Sequence, residues 1–346
     1  MILKRNIHKA FYLFLFLHLS AWTLIPSLSN TNLPLDTIEA LAWGSSLDWG
    51  FNKHPPLSAF AVEFFFTIFG NNDWAYYLLS QIFVLISFYF VWKVSNELLQ
   101  DKLYALLSVL LLSGIYFYNY TTPEFNVNVS QLPFWALTVY FFWKGINFNK
   151  NIDWILFGIF SALGFLSKYL FVYILLALFI FFIFNYKKYK KSVNKYFFSI
   201  LVSLALLTPH VFWLFENNFI TIFYGLDRSG VSESNYIDHL KNPIIFLIKQ
   251  FIILIPFFLM FYVVTKKYKF SINKKNKEII FLLSINLIPI GLVLATSIIM
   301  GAEIRTMWMT PFYLFFGTLF ISLFKSFIDM KKIKKFYYIF LFFFIL

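Results

Sequence analysis

The sequence contains no cysteine, which excludes disulfides, thiolate catalysis and thiolate-bound metal without identifying a compartment. Charge is also scarce. Only 13% of the 346 residues are Asp, Glu, Lys or Arg, against 60% hydrophobic and 23% aromatic, at a mean hydropathy of +0.72. A water-soluble domain of this composition would expose large apolar patches, so the chain reads as a polytopic membrane protein. A cleavable leader is not expected. The first apolar run, Ala10 to Leu28, exceeds the roughly 7–15 residues of a signal core and no small-x-small site follows it, so it is expected to stay as a first helix.

What is present is a repeated apolar window of membrane-crossing length, separated by short polar breaks. The windows predict an all-α, polytopic transmembrane helical bundle of about 11 spans, near residues 10–28, 74–93, 103–119, 127–143, 153–167, 169–185, 197–215, 244–265, 279–300, 304–324 and 336–346. One transmembrane domain over 1–346 is expected, with a first outer loop at 30–73, a long outer loop at 216–243 and no soluble C-terminal domain.

The net charge of +13 falls in alternate loops rather than along a nucleic-acid-binding face. Lys4, Arg5 and Lys9, Lys93 and Lys102, Lys144 and Lys150, and the clusters at 187–195, 266–277 and 325–335 all belong to one side of the predicted topology. By the positive-inside rule that side is cytoplasmic, the N-terminus included. Its lysines can also meet anionic lipid headgroups. The other side keeps Lys53, Lys168, Arg228, Lys241 and Arg305, and collects acids: Asp36, Glu39, Asp48, Glu63, Asp73, Glu124, Glu216, Asp227, Glu233, Asp238 and Glu303. Carboxylates near membrane level are costly unless paired or in a wet cavity, so any chemistry is expected on this outer face.

The densest polar window is "LPLDTIEALAWGSSLDWGFNKHPPL", residues 33–57. Ile38, Leu41, Ala42 and Leu47 fall mostly at helical spacing, which predicts a short interfacial helix with Asp36 as its N-cap. The spacing of three puts Asp36 and Glu39 on neighbouring positions of one helix face. Pro55-Pro56 then fixes an extended turn that can hold Lys53, whose ammonium suits a lipid phosphate, with His54 beside it. Trp43, Trp49 and Trp74 are candidates for stacking on sugar rings, although aromatic residues also populate membrane interfaces.

Taken in order, "D-x-x-E-A-L-A-W-G", "F-N-K-H-P-P-L", "T-P-E" at 122–124, "G-x-x-x-x-L-G-F-L-S-K-Y" at 158–169, "PHVFWLFENNF" at 209–219 and "GAEIRTMW" at 301–308 resemble the lipid-linked-sugar glycosyltransferases of the GT-C fold. The resemblance is to the superfamily of protein O-mannosyltransferases and lipid A aminoarabinose and galacturonic acid transferases (glycosyltransferase family 39-like), over about residues 30–320. It implies transfer of a sugar from a polyprenyl-phosphate carrier to a lipid, polysaccharide or protein acceptor at the outer face of a bacterial inner membrane; with an acidic phosphate as leaving group, inversion by one displacement is the simpler path.

In that family the first acid of the loop motif is the catalytic or acceptor-orienting carboxylate, which matches Asp36. A second acid commonly follows it directly; Thr37 stands there, and Glu39 comes two positions later. The acid of "T-P-D" is here Glu124, one methylene longer. The lysine before Pro-Pro, matching Lys53, binds the carrier phosphate. His54, Lys168, Glu303 and Arg305 complete the substrate-binding candidates, and some relatives hold a divalent metal near the carboxylates, making Asp36, Glu39 and Glu124 its possible ligands. Acids alone do not identify a metal, and no cofactor is read from the residues.

The chemistry suits these residue types. An acceptor hydroxyl needs a base, and a departing phosphate needs positive charge but no strong acid. The paired carboxylates of glycoside hydrolases are therefore not the template, and the absence of D-x-D fits a lipid monophosphate donor. A transporter or flippase is the rival reading. It predicts charges near the bilayer midplane and an internal repeat, whereas the predicted spans carry very few charges and no repeat is evident.

Overall fold

The computed structural model describes residues 6–266 and 276–345, and these are mostly helical, with one isolated antiparallel bridge between Thr265 and Ile328 and no strand among the described residues. Lys4, Arg5, Lys267, Lys269, Lys274 and Lys275 of the charge argument lie outside them. The longer helices are α1 (Ile7–Ser29), α2 (Leu35–Gly44), α3 (Leu57–Phe69), α4 (Asp73–Leu99), α5 (Lys102–Leu110), α6 (Leu132–Phe148), α7 (Asn151–Ser167), α8 (Val172–Phe184), α9 (Val193–Glu216), α10 (Ile220–Arg228), α11 (Asp238–Val264), α12 (Lys277–Met300), α13 (Phe316–Phe324) and α14 (Ile333–Ile345).

Five stretches, α1, α4, Tyr186–Glu216, α11 and α12, are long and apolar enough to cross a membrane; the 3₁₀ helix Thr306–Tyr313 and the helix after it, bent by 51°, make a sixth if taken together. The sequence windows outnumber them because several are broken. The run after Lys102 tightens into a 3₁₀ helix at Leu111–Gly114, the run after Val127 is split between Val127–Ser130 and α6, and Lys168 separates α7 from the helix that follows. Breaks of this kind are tolerated in membrane proteins where the freed backbone is buried in protein or lines a cavity.

Large side chains on α9 and α11, such as Leu201, Phe212 and Phe251, point outward, as on a surface facing hydrocarbon. The interior is aromatic: Trp135, Trp154, Phe142 and Phe171 are fully buried, and Phe142 stacks on Phe281 at 6.2 Å. Small residues set the closest approaches. A Cβ on Gly317 of α13 would lie 2.0 Å from the Ser108 carbonyl of α5, so only glycine lets these helices meet.

Contacts sort the loops into two ends. At one, Lys144 pairs with Glu97 at 3.6 Å, Lys195 donates to the Asn149 carbonyl at 2.6 Å, Lys325 donates to the Leu99 carbonyl at 2.6 Å, and Lys277 lies over Trp143 and Tyr189. This end gathers the lysine-rich loops. At the other, Thr221 donates to the Phe51 carbonyl at 2.5 Å, Glu303 N–H to the Ser229 carbonyl at 2.8 Å, and Asn242 to the Gly301 carbonyl at 2.7 Å.

Candidate active site

The second end holds a cavity of about 400 Å³. Its polar wall begins on α2, where Asp36 and Glu39, three residues apart, both face in. Helix α2 starts differently from the sequence expectation. Its N-cap is Pro34 and Asp36 sits in the first turn, so the carboxylate is not spent as a cap. The N–H of Asp36 is satisfied instead by Glu124, whose carboxyl accepts it. Thr37 fixes the same junction by donating to the Phe125 carbonyl at 3.2 Å.

Glu124 is therefore behind the wall and does not line the cavity. Its turn is anchored from α4, with Ser80 donating to the Thr122 carbonyl and Gln81 Nε2 to Thr122 Oγ1 at 3.1 Å. Asn126 donates to Glu124 Oε2 at 3.2 Å, while its own carbonyl caps the next turn by accepting from Asn128 N–H at 2.9 Å and Val129 N–H at 3.2 Å. That turn presents Asn128 to the cavity, where its Oδ1 accepts from Lys168 at 2.5 Å.

Lys168 lies in the break between α7 and the next helix, 5% exposed, with its ammonium 5.3 Å from the Trp308 ring. Burial pulls its pKa down to about 7, partly opposed by the Asp36 charge. Asp36 shifts the other way: burial raises it and Glu39 adds to the rise, while Lys168, Lys53 and Arg228 oppose it. Burial also lifts Glu124, helped by the Asp36 charge and opposed by its hydrogen bonds. Lys53 forms an ion pair with Glu39, the main reason its pKa rises. His54 is neutral, pushed down to about 3 by burial and the two lysine charges.

Of the residues expected from the sequence, Asp36, Glu39, Lys53, His54, Lys168 and Arg305 share this one cavity. Glu303 does not line it; its side chain is exposed and its N–H is used on Ser229. Trp43, Trp49 and Trp74 are also absent from the wall: Trp43 stacks on Phe51 at 5.4 Å, and Trp49 and Trp74 pack edge-on against Phe60 and Phe69. The aromatic lining comes from Tyr169, Tyr173, Tyr224 and Trp308. Tyr169 is tied to His210 at 2.8 Å, and the other nitrogen of that imidazole lies 2.5 Å from the Trp49 carbonyl. The "PHVFW" stretch thus joins the first loop to the cavity.

The carboxylates do not converge on a common centre, and among the described residues no group of three His, Cys, Asp or Glu could hold a metal ion. Glu39 engages Lys53 and Glu124 engages Asn126 and the Asp36 N–H.

The segment at 216–243, expected to be a loop, contains α10. Thr221, Tyr224, Gly225 and Arg228 line the cavity at i, i+3, i+4 and i+7, while Ile220 and Phe223 face outward. That periodicity was legible in "ITIFYGLDR" and is the signal by which Tyr224 and Arg228 could have been found.

Residues 53–213 match the family model for dolichyl-phosphate-mannose-protein mannosyltransferase. The match opens at Lys53 and takes in His54, Glu124, Lys168 and His210, leaving Asp36, Glu39, Arg228 and Arg305 outside it. No curated protein and no solved structure matches the chain.

Proposed function

We propose that the chain is a GT-C glycosyltransferase, a membership that the family match over residues 53–213 supports, and that it moves a sugar from a polyprenyl-phosphate carrier to an acceptor at the outer face of a bacterial inner membrane. One observation carries the reading: a carboxylate, Asp36, shares a single cavity with Lys53, Lys168, Arg228 and Arg305 at the end of the bundle opposite the lysine-rich loops. Asp36 is the base that takes the acceptor's proton. Its raised pKa makes it a stronger proton acceptor than an ordinary aspartate while leaving it usable near neutrality.

The cations hold the phosphate as negative charge develops on the leaving oxygen. Arg228 and Arg305 suit it as planar forks, Lys53 and Lys168 as point charges. Attack by the acceptor oxygen forms the new glycosidic bond, the old sugar–phosphate bond breaks with its electrons staying on phosphate, and the acceptor's proton goes to Asp36. A single displacement inverts the anomeric centre. Glu124 acts from behind by fixing the start of α2, and Glu39 raises the basicity of Asp36. A divalent cation beside the carboxylates would require Glu39 to leave Lys53 and Glu124 to leave Asn126.

The direct test is mass spectrometry of envelope glycolipids from cells with and without the gene. Loss of a hexose, uronic acid or amino sugar from one glycolipid supports the reading and identifies both partners. Envelope glycolipids and glycoproteins that keep every sugar would overturn it.

For topology we favour about 11 passes, supported by the alternation of helix ends between the lysine-rich end and the cavity end. Cysteines replacing Ser45 and Ser232, both exposed at the cavity end, are expected to react with a membrane-impermeant thiol reagent in intact cells. A cysteine replacing Lys190, exposed at the opposite end, is expected not to react. Labelling of the Lys190 position alone would invert the orientation.

A further inference from the structure

We propose that Glu39 and the donor's phosphate compete for Lys53, so that the carboxylate sets a threshold that a phosphate must exceed before it is bound. This rests on the assignment of Lys53 to the donor phosphate. The Glu39 and Lys53 side chains form an ion pair within the cavity wall, 27% and 30% exposed. That exposure lets water or a ligand reach both ends of the pair. Among the described residues the Glu39 carboxylate hydrogen-bonds no side chain but Lys53. Glu124, by contrast, is held from two sides and buttresses a helix.

An ammonium has three protons to give, and a phosphate entering the cavity must share or displace the carboxylate already there. Asp36 makes that displacement costly, because freeing Glu39 from Lys53 leaves two carboxylates on one face of α2 without the ammonium that compensates them, and this cost is part of the threshold. The released carboxylate stays next to Asp36 and near solvent. Glu39 therefore subtracts affinity from every phosphate that reaches Lys53. It rejects weakly held ones, such as the headgroups of abundant phospholipids, while a donor that also engages the arginines and the apolar wall still binds.

The consequence is unusual for an acid in a candidate active site: removing it should tighten phosphate binding. With the purified full-length chain in detergent, Glu39→Gln is expected to bind a long-chain polyprenyl monophosphate about fivefold more tightly than the parent, the scale of one partly exposed ion pair. Glu39→Asp, one methylene short of Lys53, should also tighten it. The matching polyprenyl alcohol, which has no phosphate, should bind both variants and the parent alike. In a Lys53→Ala background the Glu39→Gln gain should vanish, since the competition needs the ammonium. Thermal midpoints show whether each variant is folded.

Unchanged or weaker phosphate binding in both folded Glu39 variants would overturn the competition. So would a gain that persists without Lys53, or an equal gain for the alcohol. Failure of the underlying assignment looks different: the parent and Lys53→Ala would then bind polyprenyl phosphate equally.

Discussion

Asp36→Asn is expected to lower sugar transfer by at least about 10²-fold, the lower end of what a general base contributes, while the protein stays folded. Asn matches Asp in size and can still hydrogen-bond, but it cannot take a proton. The start of α2 does not depend on this carboxylate, because Pro34 is the N-cap, the Asp36 N–H is received by Glu124, and Thr37 bonds the Phe125 carbonyl. The loss of a negative charge from the first turn should cost no more than about 1 kcal/mol.

The pH dependence follows from the same group. Burial and Glu39 raise the Asp36 pKa, so the acid limb of kcat/KM should lie above the ordinary aspartate range, with activity rising as pH increases through it. Transfer assays and thermal unfolding of Asp36→Asn and Asp36→Ala separate catalysis from folding. A folded, fully active Asn variant would remove Asp36 from the chemistry.

The all-helical, apolar character of the fold was legible because it depends on composition, which survives without tertiary information, whereas the number of unbroken spans was not, since several apolar windows are interrupted in the structure. Five of the expected cavity residues came from motifs in which a charge is unusual for its surroundings: Lys53 before Pro-Pro, Lys168 between two apolar runs, Arg305 after Gly301, and the pair on α2. The role of Glu124 was not legible. Its partner, the Asp36 N–H, is a backbone group on a distant part of the chain, and no local pattern in "TTPEFN" encodes that contact.

The same reason explains the misplaced cap. Asp36 has the side chain of an N-cap and the position of one by apolar spacing, but Pro34 already starts the helix with a fixed φ, and a carboxylate from another segment fills the cap's role. The tryptophans follow the packing alternative rather than the sugar-stacking one. Trp43, Trp49 and Trp74 sit in the same loop as the acids, yet they pack that loop against Phe51, Phe60 and Phe69. The cavity takes its rings from Tyr169 with Tyr173, Tyr224 and Trp308, on three separate segments.

Lys168→Met is expected to reduce kcat/KM by about 10²-fold or more, the scale of one lost electrostatic contact to developing charge, and to change the shape of the pH profile. In the parent the Lys168 pKa is lowered to about 7, so the ammonium is half-populated near neutrality. Above that pH the positive charge beside Asp36 and the phosphate site disappears, and kcat/KM should fall about tenfold per pH unit. Methionine fills a similar volume beside Trp308 without a proton to lose, so the variant should be slow at every pH and lack this alkaline limb. Lys168→Arg stays charged throughout. It should retain more activity than Met and also lose the limb, with the rate limited by how well the larger guanidinium fits between Asn128 and Trp308. The Asp36 acid limb should remain in both variants. An alkaline limb unchanged in Lys168→Met would assign that titration to another group, and a Met variant as fast as the parent would show that the buried ammonium serves packing alone.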